Sequence, residues 1–408
     1  MSTKRIAILV YYYPVAYSPS ILNTALYWAR KGYEVDLLLD RFIYEEVEQS
    51  HPNIKIVYCT NLPPLKKITG SETASATIKS TSAIPFLSKV QAYLYLYKSI
   101  VPGWISQVKK YTTSIRDYCK YKKYSFLVAF EPEALIAAHW SGLTKIIPFY
   151  YHSLELYDAN TFKNKLRKKF ERKAINGAQF VVVQDEARAA VLQKELGLDF
   201  KLQLCPVSIM GPAIVNKSDY LQKKFNIPSD KKIILYTGSF YAEACFEEMA
   251  LSTTSNLWKD EWVLVLHGFG GDHKKISDLK EKTKKEKLIF SQDNLSQDEL
   301  DQLTSSAHIG LALYKQTNAN FINTVLSSGK IAQYAKCSLP VIIISSKVSD
   351  EFMSKFGCGV TIESAKEIAK GVEKIVGDYD QYKNQMQETF HLKYDFENNY
   401  KALADLLS

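Results

Sequence analysis

Cysteine is sparse in this chain of 408 residues, and what there is stands scattered. Cys59, Cys119, Cys205, Cys245, Cys337 and Cys358 form no CxxC pair and no metal-ligand spacing. That pattern excludes a cysteine-built zinc or dithiol centre and suits reduced, mostly buried thiols in a cytoplasm. Long apolar runs are missing too, since no stretch reaches the roughly 18 uncharged apolar residues of a membrane span. The nearest approach, Ile84 to Ile105, is interrupted by Lys89 and Lys98. It reads as an aromatic amphipathic helix, packed on a core or lying at a membrane interface. At the N-terminus Lys4 and Arg5 precede IAILVYYY, but the run is short and Pro14 closes it, which favours a buried first strand over a signal peptide. Internal repeats, low-complexity tracts and nucleic-acid-binding motifs are absent, so nucleic acid is not an expected partner.

What is present describes a soluble globular protein, with 46% apolar and 23% charged residues. The length favours two domains of roughly 200 residues each. The net charge of +9 is unevenly placed. KNKLRKKFERK (Lys163 to Lys173) is dense in Lys and Arg with Glu171 the one acid, and Lys274 to Lys287 is a second basic run. Both have helical spacing, which leaves two readings open: solvated helix faces, or contact with anionic lipid heads or an anionic substrate.

Strands and helices alternate along the first half. RIAILVYYY, YEVDLLL, NIKIVYC, SFLVAF, IIPFYYHS and QFVVVQ read as strands, with helices between them. Leu62 to Ser82, rich in Pro, Ser, Thr and Lys, reads as a mobile loop. The segment after QFVVVQ is a helix capped by Asp185 and stopped by Gly197. Residues 205–230 contain three prolines and mark a linker. Alternation then restarts with KKIILYTGSF, WVLVLHGFGG, KLIFS, IGLALY and PVIIIS as strands. Apolar strands in strand-helix-strand order form parallel sheets covered on both faces. The expected architecture is α/β: two Rossmann-like doubly wound domains, 1–206 and 207–385, facing a central cleft at the carboxyl ends of their strands. Residues 386–408 are a final helical segment.

The most informative stretch is SSGKIAQYAKCSLPVIII, Ser327 to Ile344. Ser327, Ser328 and Gly329 make a tight polar turn, Lys330 opens a helix, and Pro340 leads into a buried strand. Such a turn offers free backbone N–H groups, two hydroxyls and a positive dipole end with an ammonium beside it. It serves as a phosphate or diphosphate site or as an ordinary cap.

Taken in order, YYYPVAYSPS, AFEPEAL, YYHSLELYD, FERKAINGAQFVVVQDEAR, ILYTGSF, LVLHGFG, ELDQLTSSAHIGLALY and SSGKIAQYAKCSLPVI resemble a nucleotide-sugar glycosyltransferase of the GT-B fold. The resemblance is closest to the retaining family 4 enzymes and covers nearly the whole chain. It implies a C-terminal domain that binds a nucleoside-diphosphate sugar, an N-terminal domain that takes the acceptor, and a final helix crossing back to the N-terminal domain. By the same resemblance Gly238, Ser239 and Gly268 let backbone approach the donor. Ser327, Ser328, Gly329 and Lys330 hold its diphosphate, and Ser291 and Leu295 frame the base. Gly268 also fits a plain strand-end turn. His152, the strand-end histidine, matches the residue near the transferred sugar, or is a satisfied loop histidine. Glu131 and Glu155 are acceptor-side candidates, with Glu155 also readable as a helix start, and Glu133 lies beside them.

Two family features are replaced. Where the family carries two glutamates eight positions apart, this chain has Val325 and Gln333, and Gln333 retains a side chain able to bond a ribose hydroxyl. Where the family carries an Arg and a Lys after the glycine turn, this chain has Glu243, Glu247 and Glu248, which leaves Lys330 as the cation for the diphosphate. The DYD of Asp378 to Asp380 falls between C-terminal helices and reads as chance, so no metal and no other cofactor is expected. The overall expectation is hexosyl transfer to a glycan or lipid-linked acceptor, in polysaccharide or glycoconjugate synthesis. The protein would be cytoplasmic, possible partners including an anionic membrane surface. A catalytically silent GT-B scaffold and a sugar-nucleotide epimerase are the alternatives.

Overall fold

The structure is a computed structural model describing residues 4–13, 15, 18–40, 50–59, 86–157 and 161–407. The loop expected over Leu62 to Ser82 lies outside them, as do the side chains of the aromatic helix up to Pro102. The chain divides into two compact units, Met1–Leu204 and Cys205–Ser408.

The first unit holds β1 (Arg5–Val10), β2 (Glu34–Leu39), β3 (Ile54–Tyr58), β4 (Phe126–Phe130), β5 (Phe149–His152), β6 (Val181–Val183) and β7 (Gln203–Leu204). They form one sheet in the order β3-β2-β1-β4-β5-β6-β7, all parallel. Its helices are α1 (Pro19–Arg30), α2 (Phe86–Cys119), α3 (Glu131–Ser141), α4 (Phe162–Ala174) and α5 (Glu186–Leu196). The caps of α5 are those its sequence specifies: the Asp185 carboxylate accepts the Arg188 N–H, and Gly197 takes the left-handed turn.

Helix α4 corrects the simple picture of a solvated basic face. Lys165, Lys169, Arg172 and Lys173 are exposed, but Arg167 and Lys168 are buried. Arg167 pairs with Glu133 at 2.6 Å, and the same carboxylate accepts the Trp104 indole N–H at 3.1 Å. Lys168 lies 2.9 Å from Glu195 and 3.4 Å from Glu171. A buried cation persists only where a carboxylate compensates its lost hydration, so these two residues fasten α4 to its neighbours.

In the second unit the linker contains a short helix, α6 (Tyr220–Phe225). The strands are β8 (Lys232–Ser239), β9 (Trp262–Phe269), β10 (Leu288–Ser291), β11 (Ile309–Ala312), β12 (Val341–Ile344) and β13 (Gly359–Ile362). The sheet order is β10-β9-β8-β11-β12-β13, again all parallel. Helices α7 (Phe246–Ser252), α8 (His273–Lys282), α9 (Gln297–Ser305), α10 (Ala319–Ile322), α11 (Gly329–Lys336), α12 (Lys347–Phe356), α13 (Ile368–Gly377), α14 (Tyr379–Thr389) and α15 (Phe396–Asp405) complete it. Two separate apolar clusters cover the two faces of this sheet.

The order of each sheet reverses once, between β1 and β4 and between β8 and β11. In doubly wound sheets the connections leave to opposite faces at that point and open a crevice at the strands' carboxyl ends. In the second unit Tyr334 of α11 fixes the crevice wall. Its hydroxyl accepts the Thr237 N–H at 2.9 Å and lies 3.2 Å from the Leu311 carbonyl, so one oxygen ties α11 to both β8 and β11. The ring rests on Gly310, where an added Cβ would stand 2.4 Å from the ring carbon Cδ2. Gly310→Ala is therefore expected to lower stability by about 1–3 kcal/mol, the usual range for overpacking. Chemical denaturation of wild type and variant measures it, and an unchanged midpoint would contradict the seat described for Tyr334.

Candidate functional site

At the carboxyl end of β8 the backbone turns at Gly238, whose φ of +140° suits glycine alone. A Cβ there would stand 3.1 Å from the Lys330 Nζ. On the neighbouring strand a Cβ on Gly268 would fall 1.6 Å from the Gly238 carbonyl oxygen. Both positions therefore exclude a side chain, and the two strand ends close on each other. Ser239 finishes β8, its carbonyl accepting the Tyr236 O–H at 2.7 Å.

Helix α11 opens directly above. Its first intrahelical bond runs from the Ala332 N–H to the Ser328 carbonyl, so the N–H groups of Gly329, Lys330 and Ile331 have no acceptor within the helix. The two hydroxyls of the turn are committed elsewhere. Ser327 donates to the Asn323 carbonyl at 2.6 Å, and Ser328 pairs with the Tyr314 hydroxyl at 3.2 Å.

Lys330 occupies the second position of α11, where the helix dipole repels a cation. Its ammonium lies 3.8 Å from the Tyr236 ring centroid and 4.8 Å from that of Tyr314. The ring faces attract the cation but do not neutralise it. No carboxylate among the described residues pairs with it, and burial pushes its pKa down to about 7. Nearby cations are already matched: Lys315 bonds Glu248 and Lys275 bonds Glu247, each at 2.8 Å. The glutamates that follow the Gly238 turn thus neutralise neighbouring lysines and leave Lys330 free. Helix N–H groups, positive dipole and unmatched ammonium converge where β8 and β11 diverge, an arrangement with the chemistry to hold an anion.

The other donor-side candidates lie on β10, on the loop after it and further along α11. Ser291 ends β10 and is buried, and Leu295 packs partly against the apolar cluster beneath α11. Gln333 is buried with its amide engaged: Nε2 donates to Asp301 at 2.7 Å and Oε1 accepts from Gln297 at 3.2 Å. Val325 belongs to the apolar cluster. Tyr236 and Tyr314 were not singled out by sequence reasoning. Their tyrosine hydroxyls at the ends of apolar strands were the available signal.

In the first unit, the carboxyl end of β4 carries Glu131, left-handed at φ +70° and buried. One carboxylate oxygen accepts the N–H groups of Leu154 (2.6 Å) and Glu155 (3.0 Å), and the other accepts the Tyr157 hydroxyl. Glu131 thereby holds the loop that leaves β5. Burial pushes its pKa up to about 8, against the lowering effect of those bonds. Glu155 is also raised by burial, with Arg188 opposing. His152, on β5, is 1% exposed and stacks on Phe130 at 4.9 Å. Neither ring nitrogen has a hydrogen-bond partner among the described residues, and burial holds the imidazole neutral. Glu133 serves the Arg167 pair already described. Among the described residues no cluster of three or more His, Cys, Asp or Glu could hold a metal ion.

Residues 251–400 match the family model described as "Glucosyltransferase 3-like, C-terminal domain". That span includes Gly268, Ser291, Lys330 and Gln333. No curated protein matches the chain at a significant level. Among solved structures, sucrose-phosphate synthase of Thermosynechococcus elongatus superposes with a TM-score of 0.67 at 14% identity, over 99% of this chain and 98% of that one. HepE of Anabaena in complex with UDP gives a TM-score of 0.65 at 11% identity, over 99% of each chain. WaaG, a glycosyltransferase involved in lipopolysaccharide biosynthesis, gives 0.61 at 14% identity, again over 99% of each. Likeness at this level of identity is likeness of fold. The chain has the two doubly wound domains of the GT-B fold, and its resemblance to GT-B glycosyltransferases extends over nearly its full length.

The Glu131 brace has a pH signature. Its folded pKa, about 8, lies above the ordinary value of 4.5. The folded chain keeps a proton that the unfolded chain has released, so this group's stability contribution is full below pH 4.5 and is lost as pH rises through 8. Glu131→Gln, which preserves a carbonyl acceptor for the two amides, is expected to flatten that decline. Melting temperatures of both proteins between pH 5 and pH 9 test it, and parallel curves would refute the assignment.

Proposed function

We propose that this protein is a glycosyltransferase that takes a hexosyl unit from a nucleoside-diphosphate sugar and passes it to a glycan or lipid-linked acceptor. The observation that carries the reading is the unpaired Lys330 ammonium over the Gly238 turn, at the open end of α11. As the glycosyl bond breaks, negative charge grows on the departing diphosphate. N–H groups and an ammonium already aimed at that place stabilise the charge more in the transition state than in the ground state. The diphosphate also supplies the counter-charge that Lys330 lacks, so the cation missing after the Gly238 turn is replaced from α11. The reading extends to retention of anomeric configuration and to roles for His152, Glu131 and Glu155 on the acceptor side. Product anomer, read by NMR, decides the first of these.

Lys330→Ala is expected to cut donor turnover about 100-fold or more, the scale for removing one preorganised charge-stabilising group. Its folding should be retained, checked by circular dichroism. Because the free ammonium titrates near 7 and a bound diphosphate favours its charged form, nucleotide affinity should fall as pH rises above 7, with proton uptake on binding. Calorimetry in buffers of different ionisation enthalpy reads that uptake. Undiminished turnover in Lys330→Ala sinks the phosphate assignment, and failure of every nucleoside diphosphate to bind wild type favours a silent scaffold.

The acceptor side extends the reading to a membrane surface. Lys165, Lys169, Arg172 and Lys173 lie on one exposed face of α4, and Lys145 and Lys173 both act electrostatically on His139 of α3. Ile146, beside Lys145, is 78% exposed. Exposed acids are missing from residues 139–147 and 161–176, because Glu171 is buried. A basic face with an apolar tip suits anionic lipid heads, and docking there would bring the chain to lipid-linked acceptors. No described helix is long and apolar enough to cross a membrane. Co-sedimentation with phosphatidylserine vesicles is expected, weakened by salt and by changing Lys165, Lys169 and Lys173 to Glu. No sedimentation at low salt would exclude the membrane part while leaving the donor site untouched.

A further inference from the structure

Beyond the diphosphate site, the second unit carries a polar relay that runs through Ser291 and includes His267, which the donor-side candidates above do not. His267 sits near the carboxyl end of β9 and is 8% exposed. Its Nδ1 lies 2.9 Å from the Ser291 hydroxyl, which lies 3.3 Å from an Asp293 carboxylate oxygen. Asp293 is held in turn by Lys224 at 2.8 Å.

Asp293 selects among the proton arrangements open to the relay. The Lys224 bond holds the Asp293 carboxyl below its ordinary pKa, so Asp293 is ionised and can only accept. The Ser291 proton therefore goes to Asp293, and the Ser291 oxygen is left to accept. With the Ser291 proton directed to Asp293, the other neighbour of Ser291, His267, donates from Nδ1. Burial lowers the His267 pKa, which keeps the ring neutral. A neutral imidazole protonated at Nδ1 presents a bare lone pair at Nε2. That nitrogen has no partner among the described residues, and unlike the nitrogens of His152 it is not sealed from solvent.

Strand alternation gives the direction. His267 shares a sheet face with Val263 and Val265, which pack in the cluster that includes Leu303 of α9 and Tyr334 of α11. The bare nitrogen thus faces the layer of α9 and α11, at the strand ends on the β10 side of Gly268. A nucleotide whose diphosphate meets Lys330 at the β8 end has its nucleoside half to lay along this edge.

We propose that His267 is a specificity-determining residue of the donor site, its Nε2 accepting a hydrogen bond from the nucleoside half of the nucleotide. Two kinds of group there have that chemistry, a ribose hydroxyl and a base N–H, on the ring or on an exocyclic amine. Ser291 and Asp293 are positioning residues that fix the accepting tautomer. The proposal rests on the donor-binding reading above.

The test is a set of dissociation constants by calorimetry. UDP, GDP, ADP and CDP are first compared on wild type, and the tightest serves as the probe. Its 2′-deoxy, 3′-deoxy and N-methylated-base forms are then measured on wild type, His267→Ala and Ser291→Ala. Wild type should lose about tenfold for the one analogue that lacks the bonded hydrogen, the scale of one buried hydrogen bond. His267→Ala should bind the unmodified probe about tenfold more weakly and no longer distinguish that analogue. Ser291→Ala, which keeps the ring but frees its tautomer, should show a smaller version of both effects and stands in should His267→Ala not fold. Loss for a deoxy form identifies the ribose, and loss for the methylated form the base. The proposal is overturned if the analogue penalties are the same in wild type and variants. Lys330→Ala separates the two readings: if the probe binds and needs Lys330 but ignores His267, only this proposal falls. If no nucleotide binds wild type, both fall.

Discussion

The second unit turns on the hydroxyl of Tyr334. One oxygen takes the Thr237 N–H and reaches the Leu311 carbonyl, and the ring fills the space left by Gly310. This bond fixes where α11 begins relative to β8 and β11, at the place where the sheet reverses its order. From that starting point a lysine at the second helical position reaches the Gly238 turn. Without the anchor the helix start, the ring faces of Tyr236 and Tyr314 and the glycine turn would be separate features. With it they share one small volume.

Both units pair cations inside the chain, in the second unit Lys336 with Asp301 at 2.7 Å. In the first unit buried cations are matched within the chain, Arg167 by Glu133 and Lys168 by Glu195. In the second, Lys315 and Lys275 are matched by the glutamates after the Gly238 turn, but among the described residues Lys330 is answered only by the faces of two rings. A cation left uncompensated at a positive helix end costs stability. The buried His152 is a second unmatched group, polar but uncharged.

Much of this was legible in the sequence because local signals agreed. Continuous apolar runs marked β1, β8 and β9, Asp185 and Gly197 bounded α5, and the SSGK turn fell at a helix start. Strands β7 and β13 escaped notice because both are short edge strands with little apolar sequence to announce them. The burial of Arg167 and Lys168 was not legible, since helical spacing shows a basic run but not the distant carboxylates that pull part of it inward. The rings around Lys330 come from β8 and from the loop after β11, an association only the sheet order creates. His267 was not singled out, although a single histidine in an apolar strand, one place before a glycine, is the kind of polar interruption that marks a strand end.

The near-contact of Gly268 with the Gly238 carbonyl also bears on how this chain can change over time. At that edge sequence drift meets a hard boundary. Position 268 can lose its glycine only if β8 and β9 part, whereas Phe269, the next residue, is half exposed and has room to vary. Divergence at this edge should therefore run through the residues that flank the glycine pair, altering what the site admits while its backbone stays as it is.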